Sequence, residues 1–558
     1  MLARTRGHLP TLQRKSPENL EIFGALFVGG AGGIWTRIFA PLHPAKPRFI
    51  GIAVPHGAQC TALISILLDS FSTLFSCAII TPPRRPVLLP DSFIEGRMRL
   101  AENYKRSGFF WLPGKEERKI PGELLVFDGG KAQLEIVGLF DDSIAGRNKG
   151  EDISRIIGEI EKDGLVTLDN CFYLQRSLSF GGISRSKLRV NRVFCGVGYE
   201  RDEKVTLNSV VFSVEGLQEW VAISGINVSY GDQFDTATIS YTRQNDITYS
   251  LSDGFKLHIL FSYMLPGMPH LAEAKISQKI YLKLTSDEDR DFEDFIKIVH
   301  HITYFLCFAI DATVTISDVV ATSSEVVQEF AGGVKQPAKI RLFYSSLPFS
   351  IEPPKIEADR ILFRLIDIAA NAERILNNWI NAFVVIRPAI GLYFSAVSGT
   401  HQYLDGRFLA LAQGLETYHR RTSSETLMDT LEFRSLVAKL LWGCDKGKRK
   451  WLRSRLMHGN EISLSQRIKR IIEPYKEHLG NTRQRNKIIR GLVNTRNYLT
   501  HYDEKTEEQS SKGLGLWLLC QKMEAIFQLH LLQQLGFTKP EIENILENNY
   551  KLSQKLGK

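Results

Sequence analysis

The sequence predicts a multidomain α+β protein, with a β-rich N-terminal domain, sandwich or barrel-like, followed by an all-α helical bundle. Three observations predict it. At 558 residues the chain exceeds the size at which one hydrophobic core stops growing. From residue 108 onward, short β-type runs are punctuated by turn signals at the spacing of antiparallel sheet. Beyond about residue 360 the apolar pattern changes to a helical period.

Composition sets the class. Apolar residues make up 44% and charged residues 23% of the chain, as in ordinary globular proteins. The seven cysteines, Cys60, Cys77, Cys171, Cys195, Cys307, Cys444 and Cys520, are widely separated and form no C-x-x-C pair, which argues against a disulfide framework or a zinc site. Most lie in apolar runs, where a thiol behaves as a small hydrophobe, so reduced thiols and a cytoplasmic location are expected. The net charge of +9 is unevenly spread: residues 446–496 hold fifteen Lys and Arg against three acidic residues, an excess of twelve that leaves the remainder slightly acidic. Such a concentration attracts polyanions, although a set of solvated helix faces has the same composition.

Residues 1–97 are atypical. Gly29, Gly30, Gly32 and Gly33 interrupt an apolar run but are not followed by the Lys-Ser or Lys-Thr of a phosphate-binding loop. Residues 60–80 are long enough to span a bilayer, yet Asp69 lies at the centre, where a carboxylate costs about 2.5 to 3.5 kcal/mol. The segment is therefore expected to be either a misassigned start, with the protein beginning at Met98, or a weak membrane segment. Residues 98–322 form the β-rich domain, with strands expected over 122–127, 132–139, 165–168, 188–194, 205–214, 236–242 and 247–251. In Gln133-Leu134-Glu135-Ile136-Val137 apolar and polar residues alternate, as on a sheet with one buried face.

Residues 323–400 read as a helical linker, dominated by an apolar helix over 361–386 that Pro388 ends. Residues 401–558 form the all-α domain, with helices near 407–422, 426–442, 463–479, 485–499, 513–535 and 539–549.

The informative motif is Arg496-Asn497-Tyr498-Leu499-Thr500-His501, followed by Tyr502-Asp503, at the end of a predicted helix. Cleaving RNA without a metal requires a base for the 2'-hydroxyl proton, charge stabilisation at phosphorus and an acid for the departing 5'-oxygen. Histidine titrates near neutrality and can serve as base or acid, while a guanidinium pairs with phosphate oxygens. Asn497 and His501, four apart, share a helix face. Arg496 and His501, five apart, are turned by about 140° past one full circle unless the helix distorts or ends. One Arg and one His make a sparse site, and two copies meeting across a twofold axis would supply a pair of each.

With Asn after the Arg, Thr-His-Tyr-Asp around the His and helices on both sides, this motif resembles the HEPN ribonucleases. Gly108-Phe109-Phe110-Trp111-Leu112-Pro113-Gly114, Ile120-Pro121-Gly122-Glu123-Leu124, Phe127-Asp128-Gly129-Gly130-Lys131 and the run from Gly164 to Phe172 are similar to the N-terminal domain of the ApeA family. The resemblance covers about residues 98–537. It implies a bacterial antiphage protein of the abortive-infection type whose HEPN domain cuts RNA, tRNA being a candidate, once infection is sensed. It also implies Arg496 and His501 as catalytic residues and Asn497 as a supporting polar residue. The partners implied are RNA, a second copy in a homodimer and a phage-derived trigger. No cofactor, metal or membrane partner is expected. The alternative is a catalytically inactive HEPN module that binds RNA or dimerises behind a ligand-sensing β domain.

Further residues carry weaker signals. Lys448, Arg449 and Lys450 are candidate RNA-binding residues, or else part of a solvated loop. Glu416 and His419, three apart on a helix, could face the nuclease cleft, although an exposed pair is the commoner outcome. His300-His301 near Asp291 and Glu293 lacks a metal-ligand spacing and reads as core histidine, and Trp111 and Trp220 read as core aromatics. Capping of a helix end by Arg496 and His501 is the structural alternative for the motif itself.

Overall fold

The computed structural model describes residues 24–29, 33–38, 99–100, 104–140, 152–177, 182–268, 272–330, 333–346, 348–399, 401, 403–502 and 504–557. The chain divides into two compact units, Met1–Pro90 and Asp91–Lys558. In the first, the described residues form an antiparallel hairpin of β1 (Gly24–Gly29) and β2 (Gly33–Ile38). The candidate span over 60–80, with Asp69, and the candidate start Met98 lie outside the described residues.

The second unit begins with a closed antiparallel barrel. Its six strands are β3 (Tyr104–Trp111), β4 (Ile120–Phe127), β5 (Lys131–Ile136), β6 (Asp152–Ile160), β7 (Gly164–Ser177) and β8 (Arg185–Cys195). They run in the order β8-β5-β4-β3-β6-β7, and pairing of β7 with β8 closes the ring. Closure leaves the barrel strands without open edges. Alternate residues point inward, among them Leu124, Val126, Leu134, Ile136, Leu188 and Val190, around a fully buried Phe110. The Phe110 ring fits because β6 carries Gly158: a Cβ there would lie 2.5 Å from the ring.

β8 belongs to two sheets. Its first half pairs with β5, and on the same side its last residues, Arg192 to Cys195, pair with β18 (Ile340–Tyr344). From β18 an open sheet continues through β15 (Ile316–Thr322), β9 (Thr206–Val214), β14 (Ser277–Asp291) and β13 (Phe255–Met264) to β12 (Ile247–Ser250). Two small hairpins flank it, β10 (Ile226–Tyr230) with β11 (Ala237–Tyr241) and β16 (Val327–Phe330) with β17 (Val334–Pro337). Arg99 ties barrel to sheet, bonding Asp128 at 2.8 Å and Glu215 at 2.7 Å.

Two expectations are corrected here. Residues 323–400 are not a purely helical linker, because β16, β17 and β18 occupy their first part and β18 joins the main sheet. The β-rich domain also holds two helices, a short α1 (Leu217–Val221) and the 19-residue α2 (Phe292–Ile310), laid against β14 and β9. α2 keeps an exposed polar face of Glu293, Asp294 and Lys297 in its first half, and from His301 to Ile310 it is buried on nearly every side. His301 lies in its core, stacked 4.3 Å from Phe383, and Trp111 and Trp220 are buried as expected.

The helical part begins with α3 (Leu365–Ile368) and α4 (Ala372–Val397). Pro388 does not end the helix as expected. Ile386 leaves helical geometry at φ −115°, ψ 20°, and the chain resumes with Pro388 in the first turn of the next segment, where no intrahelical N–H is required. The stretch Leu365–Val397 is long and apolar enough to cross a membrane, yet half of it is buried within the protein. Trp379 at its middle stacks on Phe308 of α2 and donates to the His301 carbonyl at 2.8 Å. Packed with α4 are α5 (Leu404–Thr422) and α11 (Gly513–Leu535), followed in the chain by α12 (Lys539–Asn548) and α13 (Tyr550–Leu556).

A buried charge cluster joins these layers. Asp311, the left-handed cap of α2, accepts from Lys551 at 2.7 Å, from Lys555 at 3.1 Å and from Gln528 at 2.6 Å. Lys555 also pairs with Glu524 at 2.6 Å, and Glu524 with Arg407. Burial alone would raise the Asp311 pKa, but Lys555 and Lys551 outweigh it and hold the carboxylate below its ordinary range. Burial likewise opposes the charge on Lys555, and Asp311 and Glu524 more than offset it. Removing one partner from such a cluster strands the others. Lys555→Met is expected to lower unfolding free energy by about 3 to 5 kcal/mol in urea titration, the range for a broken buried pair.

Burial also pushes His301 and His530 down to about 4. Between pH 6.5 and 4 the unfolded chain therefore binds protons that the folded chain does not, and stability falls as pH drops through that window. The urea midpoint should decline from pH 6.5 to 4, with a shallower decline in His301→Leu.

Candidate functional site

Helix α9 (Thr482–His501) carries the motif. It starts at a reciprocal cap: Asn481 accepts the Gln484 N–H at 3.0 Å, and the Gln484 side chain accepts the Asn481 N–H at 2.8 Å. Ile489, Leu492, Thr495 and Leu499 form its buried stripe, which fixes the rotation of every other residue. α9 packs on α8 (Leu464–Ile472), α5 and α11. It remains α-helical through His501 and ends at Tyr502, which has φ 50° and donates its N–H to the Tyr498 carbonyl.

The motif residues separate on this frame. Arg496 is half-buried, its guanidinium 3.8 Å from Glu416 on α5 and 3.4 Å from the Asn497 side-chain oxygen. His501 is exposed on the last helical turn, and Asn497 sits one turn before it on the same face. Because the helix does not distort between them, Arg496 and His501 keep their separation of about 140° around the axis. Asp503 lies outside the described residues. The helix end is pinned by Thr495, which is buried and whose hydroxyl oxygen accepts the Ser511 N–H at 2.8 Å, and by Asn494, which donates to Gln509 at 3.1 Å. Thr495 and Ser511 are site-positioning residues that the sequence reading did not single out; a hydroxyl on an otherwise apolar stripe was the available signal.

Glu416 is not a bystander. It pairs with Arg420 at 3.0 Å as well as with Arg496, and Arg420 pairs with Glu461. Glu461 lies 3.5 Å from Arg467, whose buried guanidinium donates to His419 Nδ1 at 3.3 Å. Burial and then Arg467 lower the His419 pKa, so His419 stays neutral and can accept. Burial, then Arg420, also lowers the Arg467 pKa. His419 is thus a buried acceptor behind the site, whereas Glu416 faces the motif.

The basic residues expected to grip phosphate lie elsewhere, at the turn from α6 (Thr430–Trp442) into the start of α7 (Arg449–Leu456). Lys448 and Lys450 are exposed. Arg449 is half-buried and donates to the carbonyls of Cys444 at 3.0 Å and Trp442 at 3.2 Å, closing the end of α6. Arg449 therefore holds the turn together, and Lys448 and Lys450 remain available.

Residues 105–379 match the family described as ApeA N-terminal domain 1, and residues 409–541 match Apea-like HEPN. The second match contains α9 and the whole motif from Arg496 to His501. No curated protein and no solved structure matches the chain.

Thr495→Val keeps the volume but removes the acceptor for the half-buried Ser511 N–H. It is expected to lower stability by about 1 to 3 kcal/mol, measured by urea unfolding, with the far-ultraviolet spectrum unchanged.

Proposed function

The chain belongs to the ApeA family, with an ApeA N-terminal domain followed by an HEPN domain of RNase type, and from that premise we propose that it is a metal-independent endoribonuclease of antiphage defence. The observation that carries this reading is the exposed end of α9, where His501 and Asn497 present a shared polar face and Arg496 is held beside them by Glu416.

In the proposed reaction, one histidine removes the 2'-hydroxyl proton, and the 2'-oxygen attacks the adjacent phosphorus. Arginine stabilises the negative charge that develops on the phosphoryl oxygens. A second histidine protonates the departing 5'-oxygen, leaving a 2',3'-cyclic phosphate and a free 5'-hydroxyl. One chain supplies one His501, on a different side of the helix from Arg496, so the reaction is proposed to use two copies in a homodimer. RNA is the substrate, with tRNA the proposed target, and the β-rich domain is proposed to sense a phage-derived trigger in the cytoplasm.

His501→Ala and Arg496→Ala are each expected to cut RNA cleavage by about 10² to 10⁴-fold and to abolish cell toxicity. Neither side chain is buried, so both variants should fold and elute as wild type. Cleavage should survive excess EDTA, and its products should carry cyclic phosphate ends. Activity lost on chelation, or undiminished in His501→Ala, would leave the inactive binding module as the better reading.

RNA affinity should fall steeply with salt. Lys448→Gln with Lys450→Gln is expected to flatten that dependence by about two phosphate contacts without loss of stability. Arg449→Gln, by contrast, should lower the melting temperature.

A further inference from the structure

The segment between α5 and α8 forms an arm that the helical core does not cover. Neither α6 nor α7 contains a buried residue. Half-buried Phe433, Val437 and Leu441, spaced by four along α6, share one face, and Leu452 and Leu456 are the corresponding half-buried apolar positions of α7, which packs against α6. On the outside, Trp442 is 85% exposed and Trp451 60%, with Leu436 and Leu440 also open. Exposed aromatics of this extent mark an interaction surface.

The arm is nevertheless firmly built. At its root, Thr426 pairs with Glu461, Asn460 accepts the Leu427 N–H at 3.0 Å, and the Asn460 side chain exchanges two 2.9 Å bonds with Met428. Asp429 caps α6, accepting from Leu431 at 2.8 Å, and Arg449 closes the elbow. The arm therefore presents its outer residues in a fixed arrangement.

The charge on that surface selects its partner. Across residues 430–456 there are eight Lys and Arg against two acidic residues. Arg455, four after Trp451 on α7, shares its helix face, Lys448 ends the turn just before α7, and Lys439 precedes Trp442 by three on α6. A membrane-surface helix segregates its cations to the face opposite its aromatics. Cations beside an exposed indole instead suit a ligand with anionic and flat aromatic groups in alternation, as in unpaired RNA.

We propose that the α6–α7 arm docks single-stranded RNA, with Trp442 and Trp451 stacking on unpaired bases and Lys439, Lys448, Lys450 and Arg455 neutralising the phosphates. The proposal rests on the ribonuclease reading and adds the class of RNA and where it is held. The root of the arm also leads to the motif, since Glu461 binds Arg420, which shares Glu416 with Arg496.

The test uses the full chain carrying His501→Ala, so that RNA stays intact, and measures fluorescence anisotropy with a labelled single-stranded oligoribonucleotide and with its duplex. Trp442→Ala with Trp451→Ala should weaken single-strand binding by at least about tenfold while changing duplex binding less than threefold. Melting temperature should be unchanged, because both indoles are exposed. Unchanged single-strand affinity would overturn the proposal, as would an equal loss for the duplex, which would reduce the arm to its charge. Two further measurements on the same variant also decide against it: loss of co-sedimentation with phosphatidylglycerol vesicles at unchanged RNA affinity would assign the face to lipid, and conversion of a dimer to a monomer would assign it to a second copy. Cleavage by the wild-type chain is assayed separately, and its absence would overturn the ribonuclease reading whatever the binding shows.

Discussion

The carboxylate of Asp311 joins the β-rich domain to the helical bundle through one buried charge cluster. Asp311 terminates α2, the longer helix of the β-rich domain, and its carboxylate is buried against Lys551 and Lys555 from the C-terminal helix and Gln528 from α11. Lys555 passes the interaction on to Glu524, and Glu524 to Arg407 on α5. Buried charges are tolerated only when every member is paired, because desolvation of each ion is offset only by its partners. The elements that supply these charges are therefore bound to one arrangement. Sliding the helical bundle against α2 would strand at least one charge in an apolar interior, an outcome far costlier than the loss of a surface contact.

That constraint reaches the motif through the helices. α5 carries Arg407 at its start and Glu416 two to three turns later, so the helix anchored in the charge cluster is also the one that positions Arg496. α11 carries Glu524 and Gln528 and packs against the motif helix α9. A ligand that shifted α2 within the β-rich domain would therefore act on Asp311 first, and then on both helices that flank the motif. For the proposed sensor this gives a route from one domain to the other through pairs whose alternative is an unpaired buried charge.

Much of this was legible in the sequence where one periodicity dominated. The strands around Leu134 and Leu188 follow from alternation and the helix over 539–548 from its apolar spacing, whereas the helix over 513–535, buried on every side from Met523 to Leu532, was legible from the length of its apolar run. The motif helix was legible because its apolar stripe and polar face are both clear. Legibility failed at α2, which follows directly on strand β14 and is buried on nearly every side from His301 to Ile310, and where a local rule had an exception, as at Pro388. It failed also at β18, five residues whose strand character depends on two partners more than a hundred residues away in one case and some twenty in the other. The ionic relay behind Arg496 was half visible: Glu416 and His419 stand out as neighbours on a helix, but that one faces the motif and the other turns inward to Arg467 depends on the register of α8 against α5.

The geometry of α9 also explains why a single chain is only part of the proposed site. A regular helix cannot bring residues five apart onto one face, and α9 stays regular to its last residue because the Thr495–Ser511 and Asn494–Gln509 contacts hold it there. The same contacts keep the Arg496 and His501 backbones about 140° apart around the axis, while the Arg496 guanidinium reaches the Asn497 side chain. A histidine free to meet substrate must lie at the exposed end, while an arginine that must not drift needs a carboxylate beside it, and Glu416 supplies that on the other side. In the proposed homodimer a second, identical helix end would complete the site, with twofold symmetry setting each arginine against the other's histidine. In that proposal the rigidity of each half-site follows from the contacts that hold the end of α9.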